Sequence, residues 1–348
     1  LVPICMVEEG LSGREAIDVV LHDNLHGLEI DERCCQIAAF ALAFAAWTCP
    51  GTGGYRPLPH LHIACTGVGP QSTEEQWLKL AEESGIPMPT VGREAIKNGL
   101  LNLHRLFSQA PTLGSLINPA ELPADLIAAD YETSQPYLSA ILKVEKADDE
   151  IRERAIAAAG MVKAADLLAG EYTLIVTNVP YLARGKQNEE LRAFCGRDYG
   201  RSKADLATSF IDRLTRFCGH GCSIAAVVPQ SWRFQPSYEA FRQHLLKAFT
   251  WPVVASLGAG AFEGISGEVV NVLLLELAAV SPTKEGLISV VDAMESPSPV
   301  QKADALRSSA MMTIGQLAQL NNPEARVTLI EPHGKGLLSE YAFSTEGI

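Results

Sequence analysis

Short apolar runs alternate with longer stretches of helical periodicity along most of the chain, and this alternation predicts strands separated by helices. Strands joined by helices pair in parallel and carry helices on both faces. The pattern therefore predicts a doubly wound, mostly parallel α/β sheet. The predicted strands are a short run that ends at Glu29 or Asp31 and the runs 60–69, 172–177, 222–229, 251–258 and 268–277. The predicted helices include the apolar stretch that ends near 47 and the stretches 205–221 and 237–249.

Residues 70–168 interrupt the alternation with a mainly helical texture. Ser72 and Thr73 precede a run of acids, which is typical of a helix start. We therefore expect a helical insertion within a domain that spans 1–280. Beyond 280 the alternation becomes irregular, and Pro, Ser and Thr are frequent. A helix is predicted at 302–320, and 281–348 is expected to be a linker and the start of a C-terminal region.

The composition fits a globular protein without a membrane span. Apolar residues make up 47% of the 348 residues, and no run approaches the ~20 apolar residues that cross a bilayer. The N-terminus has neither the basic segment nor the apolar segment of a secretory signal. We therefore expect a cytoplasmic protein that makes no contact with a membrane.

The charge gives no overall attraction for nucleic acid, because the formal net charge is −13. A polyanion would have to be held by a local patch. The segment 184–203 is a candidate, with six basic and three acidic residues. A solvated loop with internal ion pairs is the alternative interpretation of this segment.

The cysteines do not predict a metal site. Among the eight, the nearest approach to a ligand cluster is Cys218-Gly219-His220-Gly221-Cys222. Tetrahedral zinc needs a second ligand pair at suitable spacing, and no such pair is evident. We interpret the segment as a glycine-rich helix end before the next strand. The other cysteines are typical of reduced thiols in a cytoplasm.

The tetrapeptide Asn178-Val179-Pro180-Tyr181 follows the apolar run 172–177. The side-chain oxygen of Asn178 and the backbone carbonyl of Val179 are two acceptors that can hold both hydrogens of one NH2 group. Pro180 stiffens the turn, and Tyr181 offers a ring on which a flat base can stack, worth ~1–3 kcal/mol. Such acceptors stabilise an attacking, more tetrahedral amine more than its ground state.

Two interpretations of this tetrapeptide stay open, because a proline turn after a strand is also ordinary turn chemistry. The functional one gains weight from Glu29, which closes an earlier strand and is placed to accept hydrogen bonds from two ribose hydroxyls. Glu29 has its own alternative, as an acid favoured at a helix N-terminus by the dipole. Ligands of parallel sheets collect at the carboxyl ends of strands, where Glu29, Thr66 and Asn178 are predicted to lie.

Together these residues resemble the class I S-adenosylmethionine-dependent methyltransferases that act on adenine in DNA. The likeness is greatest to those of type IIG restriction-modification and BREX-type phage-exclusion systems. The family's fourth motif, usually Asn-Pro-Pro-Tyr, stands here as Asn178 to Tyr181. Val179 departs from it at a position whose backbone carbonyl is used, so the chemistry is kept with some loss of rigidity. The resemblance covers roughly 20–280.

The resemblance implies a cofactor site for S-adenosylmethionine. The segment "GLEID" (27–31) is similar to the second motif, with Glu29 as the ribose ligand and Ile30 against the adenine of the cofactor. The segment "IACTG" (63–67) is similar to the third motif, with Cys65 and Thr66 where an acid is expected. The segment "LGSLI" (113–117) is a rival for the third motif.

The resemblance also implies double-stranded DNA as the partner, with other restriction or defence subunits beside it. The target adenine leaves the stack and packs between Tyr181 and Phe262, although core packing is the alternative for Phe262. Arg184 and Lys186 are expected to contact the DNA backbone. Asp205 is expected to be a helix cap, with a role in shaping the pocket as its alternative. Methylation of a protein glutamine or of RNA, and a non-catalytic part of a defence complex, stay as alternative functions.

The family's first motif, a glycine-rich loop after the first strand, is expected before residue 20 and has no match there. We therefore expect the first strand to be missing from this chain. The chain is interpreted as the middle of a larger enzyme, inactive by itself.

Overall fold

A computed structural model gives the structure of the chain and describes residues 1–70, 73–83, 92–122, 133, 136–137, 160–262 and 270–329. The chain divides into two compact units, Leu1–Gly170 and Glu171–Ile348. Each unit combines helices and strands, so the chain is a mixed α/β protein. No helix in the described ranges is long and apolar enough to cross a membrane.

The first unit begins with two short helices and continues with two strands among longer helices. Its elements are α1 (Val2–Glu8), α2 (Gly13–Val19), β1 (His26–Glu29), α3 (Glu32–Thr48), β2 (His62–Cys65), α4 (Glu74–Glu83), α5 (Arg93–Ser108) and α6 (Ala110–Leu113). A 3-10 turn at Gly114–Leu116 follows α6.

The strands β1 and β2 confirm two predicted strands and pair in parallel, from His26 with His62 to Glu29 with Cys65. Both therefore end at the same edge. Asp31 starts α3 there, because its carboxylate accepts a hydrogen bond from the N–H of Arg33 at 2.8 Å.

The predicted long apolar helix is present as α3, but much of its apolar surface is exposed. Phe40 is 66% exposed, and Ala46 is the buried residue that joins Ile17 and Leu21 in a core cluster. The range of the predicted insertion contains the helices α4, α5 and α6 where the structure describes it. The rest of the insertion, at 71–72, 84–91, 123–132, 134–135 and 138–159, lies outside the described residues.

The second unit is built on a six-stranded sheet of order β3-β4-β6-β5-β7-β8. Strands β3, β4, β5 and β7 run in one direction, and β6 and β8 run in the other. The elements are β3 (Tyr172–Asn178), α7 (Glu189–Asp198), α8 (Leu206–Arg216), β4 (Cys218–Pro229), α9 (Glu239–Ala248), β5 (Val253–Gly258), β6 (Val272–Ala278), β7 (Leu287–Asp292), α10 (Pro299–Ser308) and β8 (Met312–Gly315).

The pairing in this sheet is mixed, where the sequence predicted mostly parallel strands. Strand β6 runs antiparallel to both β4 and β5. Consecutive strands pair in parallel only when a crossover joins them, usually a helix. The glycine-rich sequence between β5 and β6 has no helical pattern, so β6 returns beside β5. The strands predicted at 172–177, 222–229, 251–258 and 268–277 are confirmed as β3 to β6, although 268 and 269 lie outside the described residues.

The helix predicted at 205–221 is wrong beyond Arg216, and the segment 218–222 is not the predicted glycine-rich helix end. Helix α8 ends at Arg216, and β4 already begins at Cys218, which pairs with Tyr172 of β3. The ladder with β3 thus draws this segment into the sheet, and Gly221 takes a φ of +77° there. Cys218 and Cys222 are joined by a disulfide.

The helix predicted at 302–320 is wrong beyond Ser308, where α10 ends. Strand β8 follows and pairs antiparallel with β7. The sequence pattern predicted neither of these two strands. Pairing with a neighbouring strand overrides weak local propensity in such short segments. The domain boundary predicted at 280 stays a prediction, but the sheet of the second unit continues past it to Gly315.

Candidate functional site

Four strands of the second unit end at the same edge of its sheet. Strands β3, β4, β5 and β7 end at Asn178, Pro229, Gly258 and Asp292. We call this side the carboxyl edge. Loops at the carboxyl ends of parallel strands are where α/β proteins place their ligands. The predicted tetrapeptide lies at this edge, and so does Phe262 in the loop after β5.

In the tetrapeptide the side-chain amide of Asn178 is exposed, and the backbone is held by a hydrogen bond to the neighbouring strand. Asn178 is the last residue of β3 and is exposed. Val179 is only 3% exposed, and its N–H donates to the carbonyl of Val227 in β4 at 3.3 Å. Pro180 is exposed, and the hydroxyl of the half-buried Tyr181 donates to Asn178 Oδ1 over 3.5 Å. The structure thus brings the predicted acceptor and the predicted stacking ring together.

The chain beyond Tyr181 is fixed against the start of α8. The N–H of Leu206 donates to the carbonyl of Leu182 at 3.0 Å. Asp205 caps α8, because its Oδ1 accepts from the N–H of Ala207 at 2.8 Å. The predicted cap is therefore present, and it anchors the loop that follows the tetrapeptide.

Asp205 is a carboxyl group whose charge is disfavoured by its surroundings. Burial raises its pKa, although hydrogen bonds from the N–H groups of Ala207 and Leu182 oppose the shift. Burial, followed by the charge of Asp205, raises the pKa of Tyr181 and raises that of Tyr238 to about 12. Both phenols therefore stay protonated at neutral pH.

Replacing Asp205 by Asn should remove a pH dependence of stability while keeping the cap, because Asn also caps helices. A carboxyl whose folded pKa exceeds its unfolded pKa stabilises the fold below the unfolded value, and that contribution is lost as the pH rises through the folded value. We expect the stability of the wild type relative to Asp205→Asn to fall as the pH rises from about 4, the ordinary pKa of an aspartate. Urea unfolding from this pH upward measures the difference, and an advantage that grows with pH would contradict the assignment.

The remaining predicted residues of this unit differ in their exposure. Phe262 is 40% exposed, and Lys186 is exposed in the basic segment. The guanidinium of Arg184 donates to the carbonyls of Arg192 and Lys203 at 3.3 and 3.5 Å. Arg184 therefore braces the loop 184–203 from within.

The first unit contains the predicted ribose ligand, Glu29, at the end of β1. Its Oε1 accepts hydrogen bonds from the N–H groups of Ile30 at 2.8 Å and Asp31 at 3.1 Å. Within the described ranges, no hydrogen bond to its Oε2 is observed. A carboxylate oxygen can accept two hydrogen bonds, which two ribose hydroxyls would supply. Ile30 is 46% exposed beside it, so these residues fit the nucleoside part of S-adenosylmethionine.

Cys65 and Thr66 support the turn that carries Glu29 and Ile30. Thr66 is fully buried, and its N–H donates to the carbonyl of Glu29 at 2.7 Å. The thiol of Cys65 donates to the carbonyl of Ile30 at 3.3 Å. Burial, with the neighbouring Cys65, raises the pKa of Cys35 to about 12. Direct contact of Cys65 and Thr66 with a cofactor stays a prediction.

The two rival segments for the third motif lie side by side. Thr66 Oγ1 and Ser115 Oγ are 3.2 Å apart, and Gly114 packs against Ile30. Gly114 has a φ of +51°, and a Cβ there would lie 2.9 Å from Ile30 Cδ1. The sequence presented 63–67 and 113–117 as alternatives, because a single sequence gives no sign that segments this far apart meet. The structure brings both to the carboxyl ends of β1 and β2.

Replacing Gly114 by Ala should displace Ile30 and lower the free energy of unfolding by about 1–3 kcal/mol, through backbone strain and overpacking together. Gly10→Ala is the matched control, because Gly10 has a φ of +68° with no atom within 4 Å of the added Cβ. Thermal unfolding of both variants measures the effect. Equal losses would show that the contact between Gly114 and Ile30 contributes nothing.

Within the described ranges, no group of three His, Cys, Asp or Glu side chains is arranged to hold a metal ion. The two cysteines of the segment 218–222 are bonded to each other.

Comparisons with known proteins extend these observations. Residues 23–261 match the model of the Eco57I restriction-modification methylase family. The chain is 30% identical over 277 residues to the adenine-specific methyltransferase BrxX of Escherichia coli O9:H4 (strain HS), covering 76% of this chain and 22% of that protein. It is 29% identical over 270 residues to the adenine-specific methyltransferase PglX of Lacticaseibacillus casei (strain Zhang), covering 76% and 21%.

The chain thus spans about a fifth of the length of the curated relatives it matches. Among solved structures it is similar to an ATP-dependent type ISP restriction-modification enzyme, LlaBIII bound to DNA. That similarity has a TM-score of 0.46 and 18% identity, over 89% of this chain and 18% of the other.

Proposed function

Because the chain belongs to the Eco57I restriction-modification methylase family, we propose that it contributes to a methyltransferase that acts on the N6 amine of adenine in double-stranded DNA. The observation that carries the proposal is the exposed amide of Asn178 beside the ring of Tyr181, with Val179 pinned to β4. The names of the curated relatives, adenine-specific methyltransferases, support adenine as the target. The whole protein would act in a restriction-modification or phage-defence system.

The chain's own groups would hold the target amine. The Oδ1 of Asn178 and the carbonyl of Val179 accept its two hydrogens and favour the charge that develops on nitrogen during attack. Tyr181 and Phe262 supply flat surfaces for the extruded base, whose unstacking costs a few kcal/mol. Pro180 keeps the two acceptors in a fixed relation, so little ordering is needed when the base arrives.

S-adenosylmethionine, when bound, would supply an electrophilic methyl group on its sulfonium. Glu29 would accept the two ribose hydroxyls through Oε2, since Oε1 already accepts from two backbone N–H groups. Ile30 would contact the adenine of the cofactor, with Gly114 behind it. Cys65 and Thr66 would line or support the same site.

Lys186 would contact DNA phosphates, with Arg184 bracing the loop and contributing charge. Phosphate contacts position a protein on the duplex without reading its sequence. We propose further that the doubly wound class I arrangement underlies both units. The mixed sheet of the second unit is compatible with it, because β3, β4, β5 and β7 share one direction.

Methyl incorporation from labelled S-adenosylmethionine into DNA, RNA and protein, each offered to the whole protein, tests this function. We expect label in double-stranded DNA. The Asn178→Ala variant of the whole protein, prepared in the same way, is the negative control and should transfer no label. Label confined to protein would instead indicate glutamine methylation, and label confined to RNA an RNA methyltransferase. Absence of label from all three would favour a non-catalytic role in a defence complex.

A further inference from the structure

Lys302 is a buried lysine at the carboxyl edge of the second unit. It lies in the first turn of α10 and is only 2% exposed. Its Nζ donates to the carbonyls of Leu257 at 2.6 Å, Ala293 at 3.2 Å and Met294 at 3.5 Å. Three ammonium hydrogens thus meet three carbonyl oxygens. Leu257 lies near the end of β5, and Ala293 and Met294 directly follow β7.

This position is unfavourable for a lysine unless its charge is compensated. Burial removes the ammonium from water, and the first turn of a helix repels a cation through the dipole. Ser298 caps the helix by accepting from the N–H of Gln301 at 3.3 Å, directly before Lys302. The three carbonyls compensate the ammonium, and in doing so they are held at a fixed separation. An apolar side chain of the same length would fill the space without joining the two strand ends.

The strand end held by Lys302 leads directly into the loop that carries Phe262. Gly258 and Gly260 follow Leu257 with φ values of +65° and +67°, so the chain turns sharply there. A Cβ on Gly258 would lie 3.3 Å from Met294 Cγ, which shows how closely the loop passes the end of β7. The carbonyl of Leu257 therefore fixes where this loop begins.

We propose that Lys302 is a positioning residue for the loop 258–262, and that it holds the end of β5 so that Phe262 meets the extruded adenine. This inference rests on the proposed methylation of DNA adenine. Lys302 acts through the backbone of Leu257 and touches no substrate. The residue lies beyond position 280, outside every motif that the sequence reveals.

The test is a double-mutant cycle of Lys302→Met and Phe262→Ala in the whole protein. Turnover is measured on a duplex that keeps the target adenine, and extrusion on a duplex with 2-aminopurine in its place, because 2-aminopurine lacks the N6 amine and cannot be methylated. The fluorescence of 2-aminopurine rises on extrusion and is quenched by stacking on a ring. We expect each single variant to lower kcat/KM about tenfold, as expected for a displaced substrate contact. We also expect both to raise the fluorescence of the extruded base, and the double variant to be no worse than Phe262→Ala.

Lys247→Met is the control, because Lys247 is exposed in α9, and it should leave both readouts unchanged. If Lys302→Met does not fold, the same cycle is run with Lys302→Arg, which keeps the cation but moves its donors. Additive effects in either cycle, or unchanged fluorescence in a folded Lys302 variant, would overturn the role of Lys302 while an active wild type preserves the proposed function. A wild type that does not methylate DNA would overturn both.

Discussion

Replacing Asn178 by Ala is expected to lower the kcat of methyl transfer by about 10²–10³-fold, which is typical for loss of one preorganised polar contact to developing charge. Stability should change by less than about 0.5 kcal/mol, because Asn178 is an exposed residue. Affinity for S-adenosylmethionine should also be unchanged, because the predicted cofactor residues lie on other strands. Single-turnover assays with saturating DNA measure the rate of methyl transfer, thermal unfolding measures the stability, and calorimetric titration measures the affinity for the cofactor.

Asn188→Ala is the matched control for this variant. The Oδ1 of Asn188 caps α7 by accepting from the N–H of Leu191 at 2.8 Å, so its removal should cost about 1 kcal/mol of stability. Turnover should stay normal in a folded sample. Asn178→Ala should thus lower turnover without changing stability, whereas Asn188→Ala should lower stability without changing turnover. An Asn178→Ala protein that keeps its turnover would show that the catalytic acceptor lies elsewhere.

Replacing Glu29 by Gln is expected to weaken S-adenosylmethionine binding by about 10–100-fold. Hydrogen bonds to a charged group contribute about 1.5–3 kcal/mol each, and 1.4 kcal/mol corresponds to about tenfold in affinity. Gln keeps one oxygen for the N–H groups of Ile30 and Asp31 but loses the second acceptor that the ribose would use. Calorimetric titration of the whole protein measures the change.

Glu32→Gln makes the same change of charge one turn along, at an exposed position in the first turn of α3. Its affinity for the cofactor should stay close to that of the wild type. Equal losses of cofactor affinity in the two variants would mean that Glu29 acts only through the long-range effect of its negative charge, without a hydrogen bond to the ribose. In that case the ribose would have to be held by another group.

The parts of the fold that the sequence predicted well are those with a strong local pattern. Strand β3 is a short apolar run with turn residues after it, and β1 leads into an Asp-capped helix. The same local signals placed Asn178 at the end of β3 and Glu29 at the end of β1, because polar residues that follow a short apolar run are predicted to lie at the carboxyl end of a strand. The cap of α8 by Asp205 was predictable for the same reason.

The parts that it did not predict depend on contacts between distant segments. The reversal of β6 and the pairing of β8 with β7 follow from neighbouring strands, not from local propensity. Ser115 meets Thr66 across an insertion, and Lys302 meets Leu257 from a helix that follows another strand. No spacing rule links such pairs in a single sequence.

The most direct measurement of the central claim is the chemical position of the transferred methyl group. Duplex DNA is incubated with the whole protein and methyl-labelled S-adenosylmethionine, digested to nucleosides and analysed by mass spectrometry. We expect label as N6-methyldeoxyadenosine, which is lost in the Asn178→Ala protein and retained in Asn188→Ala. Label on cytosine, or label on adenine that persists without Asn178, would contradict the central claim.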